Sequence, residues 1–231
     1  MEMSIKEAVK SLREGKPVLV HDSDKRENEV DIFVRASSIT PGLVRFMRKE
    51  GGGLLCVAIH AEIADTIGLP FMEDLLRDSG IPLLREMVPE RLPYDKRSSF
   101  SITVNHKKTR TGITDNDRAL TVKYLGEICG KYWSNHDFDI KRDFVKNFRS
   151  PGHVHLLRGA SKLLSEREGH TELALALAIL AKIEPCIALI EMLGDDGKAL
   201  PVEKAKEYAR EKGLVIIEGS EIKRAFFEEY G

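Results

Sequence analysis

The chain has 231 residues, enough for one large domain or two small ones and for a sizeable buried core. Its 36 basic and 37 acidic residues give a formal net charge of −1, so no electrostatic argument favours nucleic acid or a membrane surface. With 42% hydrophobic and 32% charged residues, the composition is that of an ordinary globular protein.

The first residues, Met1 to Glu7, carry no apolar core and no cleavage signature, so no signal peptide is expected. Ile5, Ala8, Val9 and Leu12 fall at helical spacing, and Gly15 and Pro17 end that helix. Pro17 to Val20 reads as a strand and Glu29 to Val34 as another. Thr40 before Pro41 predicts a helix N-cap, with Leu43, Phe46 and Met47 as the apolar face and Gly51-Gly52-Gly53 as the stop. Leu54 to Ile59 reads as a buried strand. Phe100 to Val104 reads as a strand with Phe100, Ile102 and Val104 on one face. A helix is expected after Asp115, a strand over Val154 to Leu157, and a helix over Thr171 to Lys182. The apolar run Leu173 to Ala181 is far shorter than the ~20 residues of a membrane span, so it predicts a buried helix. Cys186 to Met192, Val202 to Lys212 and Leu214 to Ile217 read as strand, helix and strand, and Ser220 as the cap of a last helix. The alternation predicts one layered α/β domain. Arg85 to Ser99 and Lys131 to Ser150 read as irregular: solvated surface, or a cover over a polar site. Cys56, Cys129 and Cys186 are too few and scattered for a disulfide framework or a zinc site, and fit a reducing cytoplasm.

Two short runs carry chemistry. In Arg26-Glu27-Asn28-Glu29-Val30-Asp31, strand alternation would put Glu27, Glu29 and Asp31 on one face. Such a row needs a divalent cation, an arginine or a hydroxyl-rich substrate beside it; taken alone, it also fits a charged edge strand. Asp22 and Asp24 raise the acid density. The second run is Arg167-Glu168-Gly169-His170-Thr171-Glu172. A helix start offers free N–H groups and the positive dipole end, Arg167 a fork for phosphate, and His170 a metal-ligating nitrogen. A plain helix capped by Thr171 is the competing reading. His153 and His155 share a strand face after Pro151-Gly152, and Glu191 sits in an apolar run where a carboxylate needs a partner or a job. Thr111-Gly112-Ile113-Thr114-Asp115 suits polyhydroxyl recognition and ordinary capping equally well.

In this order these motifs, with Gly53 to Ala58, Phe100 to Val104, Asp117-Arg118-Ala119 and Pro151 to Val154, resemble the 3,4-dihydroxy-2-butanone 4-phosphate synthase family of riboflavin biosynthesis. The resemblance spans nearly the whole chain. It implies a single monofunctional domain over residues 1–231, a three-layer α/β/α fold on a mixed twisted sheet, and a cytoplasmic homodimer with active sites at the subunit interface. The implied reaction converts D-ribulose 5-phosphate into formate and L-3,4-dihydroxybutan-2-one 4-phosphate with Mg2+ or Mn2+. Glu27 and His170 would hold the metal; Arg26 and Asp31 would touch the sugar. Arg167, with the backbone of Gly169, His170 and Thr171, would hold the phosphate, and Glu168 would be among the substrate-binding residues. His153 and Glu191 would be catalytic, and Cys56, Thr111, Asp115 and Glu29 would line the cavity. The first proton acceptor stays open among Glu29, Asp31 and Asp22. A non-catalytic sugar-phosphate or nucleotide-binding module on the same fold is the alternative.

Overall fold

The computed structural model describes residues 3–90, 92 and 95–231. In chain order, α1 (Met3–Arg13) leads into β1 (Val18–His21) and β2 (Val30–Arg35). Then come α2 (Pro41–Phe46), β3 (Cys56–Ile59), α3 (Ala61–Ile67), α4 (Met72–Asp78), α5 (Pro82–Glu86), β4 (Phe100–His106), α6 (Asp115–Ser134), α7 (Ile140–Asn147) and β5 (Phe148–Arg158). The last elements are α8 (His170–Leu180), β6 (Cys186–Glu191), α9 (Val202–Lys212), β7 (Val215–Glu218) and α10 (Gly219–Tyr230). Local chemistry explains several boundaries. Thr40 Oγ1 accepts the Leu43 N–H at 3.1 Å and caps α2, as the Thr-Pro pair predicts.

The strands form one mixed sheet in the order β4-β5-β3-β6-β2-β1-β7. β1–β7 and β3–β5 are parallel; the other pairs are antiparallel. Alternation divides the side chains between two cores. Leu19, Ile32, Val57, Leu156 and Ile190 pack under α6 through Val122, Leu125 and Ile128. Val18, Val20, Phe33, Ala58 and Ile187 pack on the other face with residues of α1, α8 and α10. The result is the three-layer α/β/α arrangement expected from the resemblance. Helix α8 lies between the sheet and the pair α1 and α10, which is why His170–Ala178 is buried on every side.

The structure corrects several expectations. A register shift between Phe100 and Thr103 breaks the alternation in β4: Ser101 is buried, with Oγ donating to Pro70 O, while Phe100 is exposed. Lys131–Ser150 is largely regular, containing the end of α6, all of α7 and the start of β5. Met72–Asp78 and Pro82–Glu86, for which no element was expected, form the helices α4 and α5. Arg85 to Ser99 begins within α5; its residues 91, 93 and 94 lie outside those described. Thr171 is not the cap of α8, since Gly169 holds that position, and α10 is capped by Glu218 in a box with Glu221 rather than by Ser220.

Candidate active site

Residues 22–29, between β1 and β2, carry Arg26 and Glu27 on a turn, so strand alternation does not govern Glu27; Asp31 alone of the three acids sits within β2. The turn is tied from inside. Asp22 Oδ1 accepts the Glu29 N–H at 3.0 Å and Oδ2 the Glu27 N–H at 2.9 Å. His21 bridges Glu218 at 2.5 Å through Nδ1 and Asn28 Oδ1 at 3.1 Å through Nε2. Asn28 has φ +55°, a left-handed conformation that costs a non-glycine residue about 1 kcal/mol. The His21 contact offsets that cost. His21→Phe is therefore expected to weaken Mg2+ binding by about tenfold, and adding Asn28→Gly, which accepts positive φ freely, should restore it; titration calorimetry on both variants checks this.

Glu27 meets the first turn of α8. His170 Nδ1 lies 3.3 Å from Glu27 Oε2, and its Nε2 lies 3.6 Å from Asp31 Oδ1. Burial alone would push His170 down; Asp31, Glu27 and Asp22 outweigh it and raise the imidazole to about 9. Burial would raise Glu27, but His170 and Arg26 hold it at about 2. Asp31 is fully buried, which lifts it to about 7; His170 opposes the rise, and Glu191, Glu29 and Glu27 add to it. Glu29 is also raised, by burial first and then by Glu27 and Glu191.

Arg26 and Arg167 close over Gly169. A methyl there would lie 2.4 Å from Arg167 Nη1 and 2.6 Å from Arg26 Nη2. Both guanidiniums already hold an anion. Asp95 pairs with Arg26 and sits 2.9 Å from Arg167 Nε and 2.8 Å from its Nη2. Arg167 Nη1 also donates to the fully buried Glu172 at 2.5 Å, whose other oxygen accepts the Ala160 N–H. Thr171 is buried behind this turn. Glu168 is turned outward, paired with Lys223 of α10.

Sheet register extends the site sideways. Asp31 pairs with Glu191, and Cys56 pairs with Leu189 on one side and His155 on the other. These residues share the face covered by α8. Glu191 Oε2 accepts the Leu54 N–H at 2.7 Å, and its charge is felt by Asp31, Cys56 and His155. Burial, then Glu191 and Asp31, push the Cys56 thiol far up, so it lines the site as a neutral group. Burial lowers His155. His153 and Thr111 form a separate group joined by Asn105, and Asp115 pairs with Arg48 and Arg118. The structure thus gathers Arg26, Glu27, Asp31, Arg167, Gly169, His170 and Glu191, and gives Thr111 and Asp115 partners elsewhere.

The donor set fits a hard divalent cation. Two ligands each about 2.1 Å from one ion at a right angle stand about 3 Å apart, close to the Glu27–His170 separation. Buried Asp31 Oδ1 and His170 Nε2 have no hydrogen-bond partner among the described residues. Asp22, Glu27 and His170 can each bring one ligand atom within 4.8 Å of the others. Each Asp22 oxygen already accepts a backbone N–H of the turn, whereas Glu27 and His170 face each other across it.

The family model for 3,4-dihydroxy-2-butanone 4-phosphate synthase matches residues 6–225. The chain is 48% identical to the synthase of that name from Archaeoglobus fulgidus, over 96% of this chain and 93% of the relative. It is 44% identical to the one from Methanothermobacter thermautotrophicus, over 97% and 96%. This chain belongs to the 3,4-dihydroxy-2-butanone 4-phosphate synthase family. Its fold is also close to a solved synthase in complex with two magnesium ions, with TM-score 0.76 and 25% identity over 98% and 97% of the two chains. The Candida albicans synthase gives 0.72 and 28% over 96% of each. Among the described residues no helix is long and apolar enough to cross a membrane.

Within this synthase fold the sequence reading missed three groups. Asp95 lay in a stretch read as surface, with no periodicity to place it. Asn105 was hidden inside a strand. His21 gave only the signal of a polar residue ending an apolar strand beside the acidic run.

Proposed function

We propose that this synthase converts D-ribulose 5-phosphate into formate and L-3,4-dihydroxybutan-2-one 4-phosphate, using Mg2+ or Mn2+ held by Glu27 and His170. One observation carries the reading: Glu27 and His170 stand at ligand spacing beside two arginines that converge on the N-terminal turn of α8. When bound, the cation supplies Lewis-acid polarisation of the sugar's carbonyl and hydroxyl oxygens, which acidifies the adjacent C–H.

The chain's own groups do the rest. Arg167, Arg26 and the free N–H groups of Gly169 to Thr171 hold the phosphate, with Asp95 marking the anion seat. Asp31, buried and raised to about 7, is about half ionised at neutral pH, and its ionised form is a stronger base than an ordinary carboxylate, suited to taking the proton. Asp22 is set aside as that base because its oxygens hold the turn. Glu29 and Glu191 carry further proton transfers, and Cys56 and Thr111 shape the cavity. Two copies of the chain join so that the groups around His153, Thr111 and Asp115 complete a site at the interface. Exposed Leu54, Phe100, Ile113 and Leu193, in segments next to the site residues, support that pairing.

The test is incubation with ribulose 5-phosphate. Formate should appear with Mg2+ and vanish with EDTA. Tight sugar-phosphate binding with no formate from folded, Mg2+-loaded protein would overturn the reading in favour of a binding module.

A further inference from the structure

His153 is fixed by one side chain, Asn105. Asn105 is 3% exposed at the end of β4, and it makes three contacts in this region. Its Oδ1 accepts the His153 backbone N–H at 2.9 Å. Its Nδ2 lies 3.0 Å from His153 Nδ1 and 3.4 Å from the Thr111 carbonyl oxygen.

Two of these contacts settle the orientation of the amide. A backbone N–H can only donate, so the atom facing it is the carbonyl oxygen. A backbone carbonyl can only accept, so the atom facing Thr111 is the NH2 group. The same NH2 group therefore donates to His153 Nδ1. A nitrogen that accepts a hydrogen bond carries no proton, so the ring proton sits on Nε2. A proton on Nδ1 would set N–H against N–H at 3.0 Å.

The surroundings hold this arrangement in place. Gly112 has φ +99°, and a methyl there would fall 2.1 Å from Asn105 Nδ2. Only glycine lets the 111–112 turn close over the amide in this way. The neighbouring Thr109 and Thr121 contacts pin His106, the residue after Asn105, from the far side.

We propose that Asn105 is a positioning residue that locks His153 as the Nε2–H tautomer. His153 then works as a neutral hydrogen-bond donor to a substrate oxygen and not as the proton-abstracting base. A base at Nε2 would need the ring proton on Nδ1, the position Asn105 closes. Neutral imidazole donating to a developing oxyanion is an established way to polarise a carbonyl or stabilise an enediol. The C–H proton then goes to a carboxylate. The inference rests on the reading above that His153 touches the substrate.

Asn105→Asp is the decisive change, because it keeps the shape. One carboxylate oxygen still accepts the His153 N–H, and the other now requires a donor, which turns the ring to the Nδ1–H tautomer. Nitrogen-15 NMR of histidine-labelled protein reads the tautomer directly. Wild type should show Nε2–H at His153, assigned by its loss in His153→Gln, and Asn105→Asp should show Nδ1–H. Turnover should fall by about a hundredfold or more in kcat, with KM within a few-fold, as expected when a catalytic imidazole is held in the wrong tautomer. An Nδ1–H ring in wild type would overturn the proposal without any variant. So would a switched tautomer in Asn105→Asp with unchanged kcat. If His153→Gln itself keeps full kcat while wild type shows Nε2–H, the catalytic placement of His153 fails and the tautomer lock stands as a structural feature.

Discussion

Glu27→Gln is expected to abolish metal-dependent turnover, with kcat/KM falling by at least about a thousandfold and Mg2+ binding by at least tenfold. Glutamine matches glutamate in size, so the turn held by Asp22 and His21 should survive and the thermal midpoint should change little. What is lost is a carboxylate held at about 2, charged at every working pH, against His170 and Arg26. The change also removes one of the three acids that raise His170 to about 9.

That raised value sets the pH behaviour of the metal-free protein. His170 holds its proton more tightly folded than unfolded, so its contribution to stability is complete below about 6.5 and is lost as pH rises through about 9. A metal needs the bare nitrogen, so binding expels that proton. Between pH 7 and 9, Mg2+ affinity should therefore rise with pH, by up to about tenfold per unit, and each binding event should release close to one proton. Calorimetry in buffers of different ionisation enthalpy measures both. An affinity flat across that window would remove His170 from the ligand set. In Glu27→Gln the rise should shift to lower pH.

The layered fold was legible because its signals are local and redundant. Ile5, Ala8, Val9 and Leu12 predict α1, and the wholly apolar face of Leu173 to Ala181 predicts a helix with no solvent side. The α7 segment was missed although Ile140, Phe144 and Phe148 recur every four residues, because the charges between them dominate the composition; Phe144 and Phe148 stack at 4.8 Å. The site was legible in its residue types and less so in its geometry. Glu27 was expected to reach His170 from a strand, yet a turn with a left-handed Asn28 delivers it. Such a turn depends on His21 and Glu218, and their partnership across 197 positions leaves no periodic trace. Asp95 is the same case. Its value lies wholly in contacts with Arg26 and Arg167, 69 and 72 positions away.

Gly169→Ala should raise KM for the sugar phosphate by about ten- to a hundredfold with little loss of stability. Gly169 caps α8 at φ −85° and ψ 171°, which alanine adopts freely, so the effect is purely steric. The added methyl meets the tips of Arg167 and Arg26, and flexible tips can move. Moving them breaks up the two-guanidinium cradle where phosphate would sit. Inhibition by inorganic phosphate should weaken in parallel with KM, because both report the same anion seat. Asp95→Asn should act in the opposite direction. The asparagine keeps the size and removes the charge that now occupies the cradle, while Glu27 and Asp22 remain beside Arg26 and Glu172 remains on Arg167. Phosphate then no longer competes with a tethered carboxylate, and its inhibition constant and the substrate KM should both fall several-fold. The two variants together decide what Asp95 does. If Asp95→Asn raises KM as Gly169→Ala does, the carboxylate belongs to the productive complex and orients the arginines around the phosphate. If it lowers KM, Asp95 is an internal anion that the substrate's phosphate replaces, and the arginines stay ordered by that pairing until substrate arrives.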